Sequence, residues 1–389
     1  MTSTQNEVNE LRPPNTDLLN TMKIKDISAT LLVIPLAKVF KGSNYQVSER
    51  CTILVRIETD AGVVGEAYSG DERVFYREER DLIAGPYREA IIGEDIFATE
   101  RIWAKLFNLT HEVRNKLVAI RALSAVDVAV WDAVGKALNT PLYKLLGGHK
   151  TELPVIGYTY GEAEKSPEDV AIEVAQQLEW GYAGTKLKVG RAEMDEDIQR
   201  VKAIRQAVGD QALIACDANR AWTPPQAIYF ARQVEEYDIA WLEEPTQWNN
   251  QVEGMRAVRA ATTIPIAAGQ SELSGFACIQ LMQHGAVDMM NADASYIGGI
   301  TEWKRMAAAA HFLGVQMIHH EEPQTALHLL AAIPHSYCAE LFSDPVRDPI
   351  WHEMYIDHPP VINGKISPPD RPGLGIQIDH DFVGRYTVT

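Results

Sequence analysis

Six polar residues, each closing a short apolar run, could together move a proton beside a bound cation. They are Lys188, Asp217, Glu243, Gln270, Asp293 and His320. Asp217 and Glu243 bring carboxylates and Gln270 an amide oxygen. Such oxygen donors suit Mg²⁺, which holds them at about 2.0–2.1 Å and keeps positions for water or substrate. Any one of the three alone reads equally well as a solvated residue at the rim of a fold, but three in order are harder to read that way.

Lys186 and Lys188 share one face of their run, because residues two apart in a strand point the same way. Two buried ammonium groups so placed must either neutralise an anion or suffer a depressed pKa. A lysine tuned in this manner can serve as a base near neutral pH. Asp293 and His320 can form a dyad in which the carboxylate fixes the imidazole tautomer, giving a second base or acid on the opposite face. His319, His328 and His335 read as structural. A cation flanked by two proton-transfer groups matches abstraction of the proton α to a carboxylate, since the cation stabilises the charge that grows on the enediolate oxygens. The expected substrate is a small carboxylic acid.

Successive members of the series lie 23 to 29 residues apart, the length of one strand-plus-helix unit. Helical spacing of apolar residues over Pro167 to Trp180, Met194 to Val208 and Pro224 to Tyr237 fills the intervals, so a parallel (β/α) TIM barrel is predicted. Active-site residues of such barrels gather at the carboxyl ends of the strands. Before the barrel, the stretch from Lys23 to about Tyr68 alternates like an antiparallel meander, and Ile120 to Lys136 has helical periodicity. An N-terminal α+β capping domain is therefore expected. The division reads as a tail over 1–22, a cap over 23–150, a barrel over 151–352 and a C-terminal segment over 353–389 that returns to the cap. Within that segment, Gly373-Leu374-Gly375-Ile376-Gln377-Ile378 suggests a last strand.

The 389 residues are 46% hydrophobic, ample for a large core, and no apolar run approaches the roughly 20 residues of a membrane span. Met1 to Asn20 lacks the apolar centre of a signal peptide, so a cytoplasmic location is expected. A net charge of −17 opposes binding to nucleic acid. Cys51, Cys216, Cys278 and Cys338 are widely spaced and read as buried free thiols.

With their neighbours, these residues resemble the mandelate racemase subgroup of the enolase superfamily over nearly the whole chain after the tail. The motifs that carry the resemblance are Lys186-Leu187-Lys188, Asp217-Ala218-Asn219, Glu243-Glu244-Pro245, Asp293 ahead of Tyr296-Ile297-Gly298-Gly299, His320, and Glu340 in Tyr337-Cys338-Ala339-Glu340. The resemblance implies Mg²⁺ on Asp217, Glu243 and a third ligand, Lys188 as base on one face, the Asp293–His320 dyad on the other, and Lys186, Asn219 and Glu340 near the substrate carboxylate. The third ligand is usually a Glu after Gly; here the order is Gly269-Gln270-Ser271-Glu272. Gln270 is preferred for its place at the strand end, with Glu272 as the alternative and weaker metal binding expected. The implied reaction is dehydration of an acid sugar to a 2-keto-3-deoxy acid, with racemisation or epimerisation by the same two bases as the alternative. A Schiff-base aldolase would not need the three oxygen ligands, and a non-catalytic binding protein would not need both lysines and the dyad. The loop Lys38 to Tyr45 is placed as a lid, with Lys38 or Lys41 available to a second carboxylate. A homo-oligomer is expected from the resemblance.

Overall fold

The computed structural model describes residues 21–41, 45–70, 76–160 and 165–388. Nearly all of the expected tail, and Gly42 and Ser43 of the expected lid, lie outside them. Three antiparallel strands open the fold: β1 (Ile24–Lys41), β2 (Gln46–Thr59) and β3 (Val64–Tyr68), in the order β1-β2-β3. One face of this sheet rests on the long helix Lys116–Ala137, in which every residue from Val118 to Gly135 is buried. A side chain at Gly65 could not fit, since a Cβ there would lie 2.2 Å from the Ala129 carbonyl oxygen. Glycine therefore sets the close approach of β3 to the helix.

Eight parallel strands follow: β4 (Leu153–Thr159), β5 (Gly184–Lys188), β6 (Leu213–Asp217), β7 (Trp241–Glu243), β8 (Ile266–Ala268), β9 (Met289–Met290), β10 (Gln316–Met317) and β11 (Ala339–Glu340). The helix Pro167–Glu179 between β4 and β5 starts with Pro at its first position and a reciprocal capping box between Ser166 and Asp169. The ring closes between β10 and β11, where Met317 N donates to His335 O (2.9 Å) and Tyr337 N to Met317 O (2.8 Å). The predicted barrel with an N-terminal α+β cap is thus the observed fold, modified at its end. Among the described residues no crossover helix stands between β11 and β12; the chain passes through the π-helical turn Ile350–Met354 and lays β12 (Lys365–Ile366) antiparallel on β4.

Two expectations change. The later strands are shorter than their apolar runs, so Gln270, Asp293 and His320 lie two to three residues beyond the last residue of β8, β9 and β10. Gly373 to Ile378 is not a strand: Gly373 and Gly375 take φ of +71° and +65°, and the stretch makes only isolated bridges, Pro141 with Gly373 and Tyr355 with Ile378. Its role is to fasten. Leu374 N donates to Asp132 Oδ1 (2.8 Å) on the long cap helix, and further on Val388 N donates to Leu31 O (2.9 Å) on β1.

Inside the barrel, Ile156, Ala215, Trp241, Ala267, Met289, Ile318 and Cys338 form one buried apolar layer. The cap helix lies over the carboxyl-terminal side of this ring. Asp127 accepts from Thr301 N (2.9 Å) and Thr301 Oγ1 (2.6 Å), and Ser124 Oγ accepts from Gly298 N (3.0 Å). The four cysteines are free and buried. Among the described residues no helix is long and apolar enough to cross a membrane.

Candidate active site

Lys188, Asp217 and Glu243 are direct neighbours across β5, β6 and β7 in the strand register. Lys188 Nζ donates to Asp217 Oδ2. Lys186 Nζ sits between two carboxylates, at 2.8 and 3.0 Å from the Glu243 oxygens and 2.9 Å from both Glu340 oxygens. Lys186, Asp217, Glu243 and Glu340 are fully buried. Of the two outcomes open to the lysine pair, the structure shows neutralisation. Burial opposes the charge on Lys186, but Glu243 and Glu340 outweigh it and hold the ammonium above its ordinary range. Burial likewise opposes the Asp217 charge, and Lys188 with Lys186 overcomes it, bringing that carboxyl down to about 2.

Tyr158 OH, at the end of β4, is hydrogen-bonded to Glu340, and Trp241 Nε1 donates to Glu243 Oε2 (2.9 Å). Glu340 is therefore held by Lys186 and Tyr158 from within the barrel.

Across the mouth, His320 Nδ1 is 2.9 Å from Asp293 Oδ2. Burial, Lys186 and Lys188 hold the imidazole well below its ordinary pKa. The neutral ring carries its proton on Nδ1, because the partner there is an acceptor, and leaves a lone pair on Nε2. His319 supports this arrangement: its Nε2 accepts from Ala294 N (3.1 Å), and its Nδ1 donates to His320 O (3.0 Å). His328 and His335 bond backbone away from the mouth, His328 to Leu374 O (2.9 Å) and His335 to Ala307 O (3.0 Å).

Lys188, Asn219, Gln270, Asp293 and His320 line one cavity of about 560 Å³, together with Tyr45, Arg121, Ser271, Tyr296, Glu321 and Glu322. Five residues at this rim other than glycine hold positive φ: Asn219 (44°), Arg220 (62°), Glu244 (39°), Glu321 (50°) and Glu322 (51°). Left-handed backbone at such side chains is costly and concentrates at functional sites. Glu321 joins the cap to the barrel: Arg50 Nη1 of β2 lies 3.2 Å from its Oε2, and His320 Nε2 lies 3.5 Å from its Oε1. Lys38 pairs with Asp344 at 3.0 Å.

Among the described residues no group of three or more His, Cys, Asp or Glu is poised as a metal cluster. The next member of the series after Asp217 and Glu243, Gln270, brings an amide. Gly269, at φ +138°, lets the chain turn there, since a Cβ would meet Met290 Sδ at 2.3 Å. Gln270 N then donates to Asn291 Oδ1 (3.0 Å), and its Nε2 donates to Glu244 Oε2 (2.8 Å). Its Oε1 is buried without a hydrogen-bond partner. An orphaned carbonyl oxygen just past the end of β8, next in the ring after the carboxylates that end β6 and β7, is the donor chemistry a hard cation takes, so the residues fit the group. Glu272 is turned elsewhere, to the Gln251 amide.

Sequence reasoning passed over Tyr158, Trp241, Glu244, Glu321 and Glu322. Glu244 stood in plain view as the second carboxylate of Glu243-Glu244-Pro245, and Tyr158 ends the first barrel run; the others carry no spacing signal of their own.

Comparison with known proteins agrees with this architecture. Residues 28–147 match the mandelate racemase / muconate lactonizing enzyme N-terminal domain, and residues 169–382 match the enolase C-terminal domain-like family. The chain is 32% identical to 3,6-anhydro-alpha-L-galactonate cycloisomerase of Streptomyces coelicolor, over 86% of this chain and 91% of that one. It is also 32% identical to arabinonate dehydratase of Saccharolobus solfataricus, over 86% and 90%, and 28% identical to L-Ala-D/L-Glu epimerase of Bacillus subtilis, over 91% and 97%. Among solved structures, a mandelate racemase/muconate lactonizing enzyme from a marine actinobacterium in complex with magnesium superposes with a TM-score of 0.88 at 41% identity, covering 95% of this chain and all of that one. An L-talarate dehydratase from Polaromonas, complexed with Mg and L-glucarate, gives 0.88 at 27% identity, over 95% and 98%. By its two domains and their order, this chain belongs to the mandelate racemase/muconate lactonizing enzyme family of the enolase superfamily.

Proposed function

We propose that this enzyme dehydrates an acid sugar, using Mg²⁺ held by Asp217, Glu243 and Gln270 and two proton-transfer groups on opposite sides of one cavity. The observation that carries the reading is that Lys188 and the Asp293–His320 dyad line the same cavity as Gln270 and Asn219. A bound Mg²⁺ supplies fixed positive charge facing the substrate carboxylate, on whose oxygens negative charge grows as the α-proton leaves. Lys188, an ammonium beside Asp217 at rest, takes that proton in its neutral form, reached when a bound cation satisfies Asp217 in its place. His320, which first gains a proton on its free Nε2 while Nδ1 stays on Asp293, gives it to the β-hydroxyl, which departs as water, and the resulting enol becomes the 2-keto-3-deoxy acid. Asp293 keeps the ring in register throughout. Lys186 and Asn219 stand beside the metal carboxylates, where they orient the substrate carboxylate, and Glu340 keeps Lys186 in place.

A second reading uses the same residues without loss of water: Lys188 and His320 exchange the α-proton on opposite faces, as a racemase or epimerase. Dehydratases and epimerases both stand among the relatives. Proton NMR of the purified protein with Mg²⁺ in D₂O, against mono- and diacid sugars and 2-hydroxy acids, separates the two. Loss of the α-proton with formation of a 3-deoxy-2-keto product establishes the dehydratase; deuterium at the α-carbon with no loss of water establishes the second reading. No change in any acid sinks both.

A further inference from the structure

We propose that Glu244 is the positioning residue that turns the Gln270 amide oxygen toward the metal, so that residues 244 and 270 work as a matched pair. The inference rests on the metal site proposed above and goes beyond it by naming what makes an amide usable there. A side-chain amide has two ends of nearly equal size, only one of which can bind a cation. A carboxylate can only accept hydrogen bonds, so whichever end of Gln270 faces Glu244 must be the NH₂ end. The contact is made at 2.8 Å from Nε2 to Oε2, and the opposite end, Oε1, is left buried without a partner.

Glu244 is itself held in place for this task. Ser271 Oγ donates to its Oε1 (2.7 Å), and Arg220 Nε lies 3.4 Å from its Oε2. Its backbone is pinned on both sides, with Glu244 N donating to Ala267 O (2.9 Å) and Arg220 N donating to Glu244 O (2.7 Å). A left-handed φ of 39° sends its side chain apart from that of Glu243. Adjacent carboxylates on one strand end thereby serve different neighbours, Glu243 meeting Lys186 and Glu244 meeting Gln270. Outer partners that orient ligands commonly change metal affinity about 10–100-fold when removed.

The test is Mn²⁺ binding followed by EPR of the free ion, on the full-length protein without substrate, with thermal melting as the folding control. Glu244→Gln is expected to weaken Mn²⁺ binding about 10–100-fold, since an amide at 244 no longer dictates which end of Gln270 it meets. Gln270→Glu alone is expected to bind no better than the native protein despite its added charge. The double variant Glu244→Gln/Gln270→Glu restores a donor–acceptor pair and is expected to regain most of the affinity, which a merely structural role of Glu244 would not do. Ser271→Ala, which loosens Glu244 without changing charge, gives a smaller loss in the same direction and serves if Glu244→Gln fails to fold. Native affinity in both Glu244→Gln and Ser271→Ala, beside a native protein that binds Mn²⁺, overturns the pairing alone. A native protein that binds no Mn²⁺ overturns the metal site and the pairing together.

Discussion

The barrel interior has two layers two residues apart along the same strands, and they follow opposite rules. Ile156, Ala215, Trp241, Ile318 and Cys338 belong to the apolar layer, while two residues further on stand Tyr158, Asp217, Glu243, His320 and Glu340. Strand β5 breaks the pattern. It places Lys186 level with Ala215 and Trp241, then Lys188 level with Asp217. Apart from Lys186, the lower layer is held mainly by packing, whereas the carboxylates of the upper one, Asp217, Glu243 and Glu340, each lean on a lysine. Function has been given the layer whose members cannot be removed one at a time.

The sharpest way to break the contrast is at Lys188. Lys188→Met is expected to lower turnover with Mg²⁺ by about 10²–10⁴-fold, the share commonly carried by one positioned acid or base, in steady-state assays on the substrate found by NMR. Lys186→Met tests the other lysine through stability. It leaves Glu243 and Glu340 facing each other without a cation, and urea unfolding is expected to show a loss of about 3–5 kcal/mol. Cys338→Ala in the apolar layer should cost less, since only a small cavity follows.

A buried carboxylate away from both lysines sharpens the comparison through pH. Asp127 is raised to about 7, by burial against the hydrogen bonds from Thr301, whereas the lysines bring Asp217 to about 2. The signs are opposite. A raised folded pKa means that the native state holds the proton longer, so the Asp127 contribution is full below pH 4 and is lost as pH rises toward 7. A depressed one means that the Asp217 contribution is present above pH 4 and is lost as pH falls toward 2. Asp127→Asn is therefore expected to flatten the decline in unfolding free energy between about pH 4 and 7, an effect of a few kcal/mol at about 1.4 kcal/mol per unit. A further effect is expected at the seam between the layers. Trp241→Phe removes the indole donor to Glu243 and leaves part of a fully buried site unfilled, and should cost about 1–3 kcal/mol in denaturant unfolding.

Much of the fold could be read from the chain because strand and helix leave different periods. Met194 to Val208 matches the helix end to end, and the Ser166-Pro167 start is where the chain turns. Strand ends were less legible: β9 and β10 are two residues long, since their apolar runs continue into loops that the barrel buries anyway. Gly373 to Ile378 has the alternation of a strand, but the glycines adopt conformations that no ladder accepts. For the candidate site, spacing marked where polar residues stand and said nothing of which neighbour each one meets. Lys186 reaches across to Glu340 through tertiary packing, and Glu244 turns from Glu243 through one left-handed residue. Neither has a period to announce it.

The tie between Val388 and Leu31 has a consequence for how the molecule comes into being. During synthesis the first strand emerges early, but the segment that pairs with its free edge does not exist until every barrel strand has been made. Domains ordinarily fold as they leave the ribosome, first come, first folded. Here an early strand must wait for a segment made after the barrel, and this edge of the cap is closed only once the barrel strands exist.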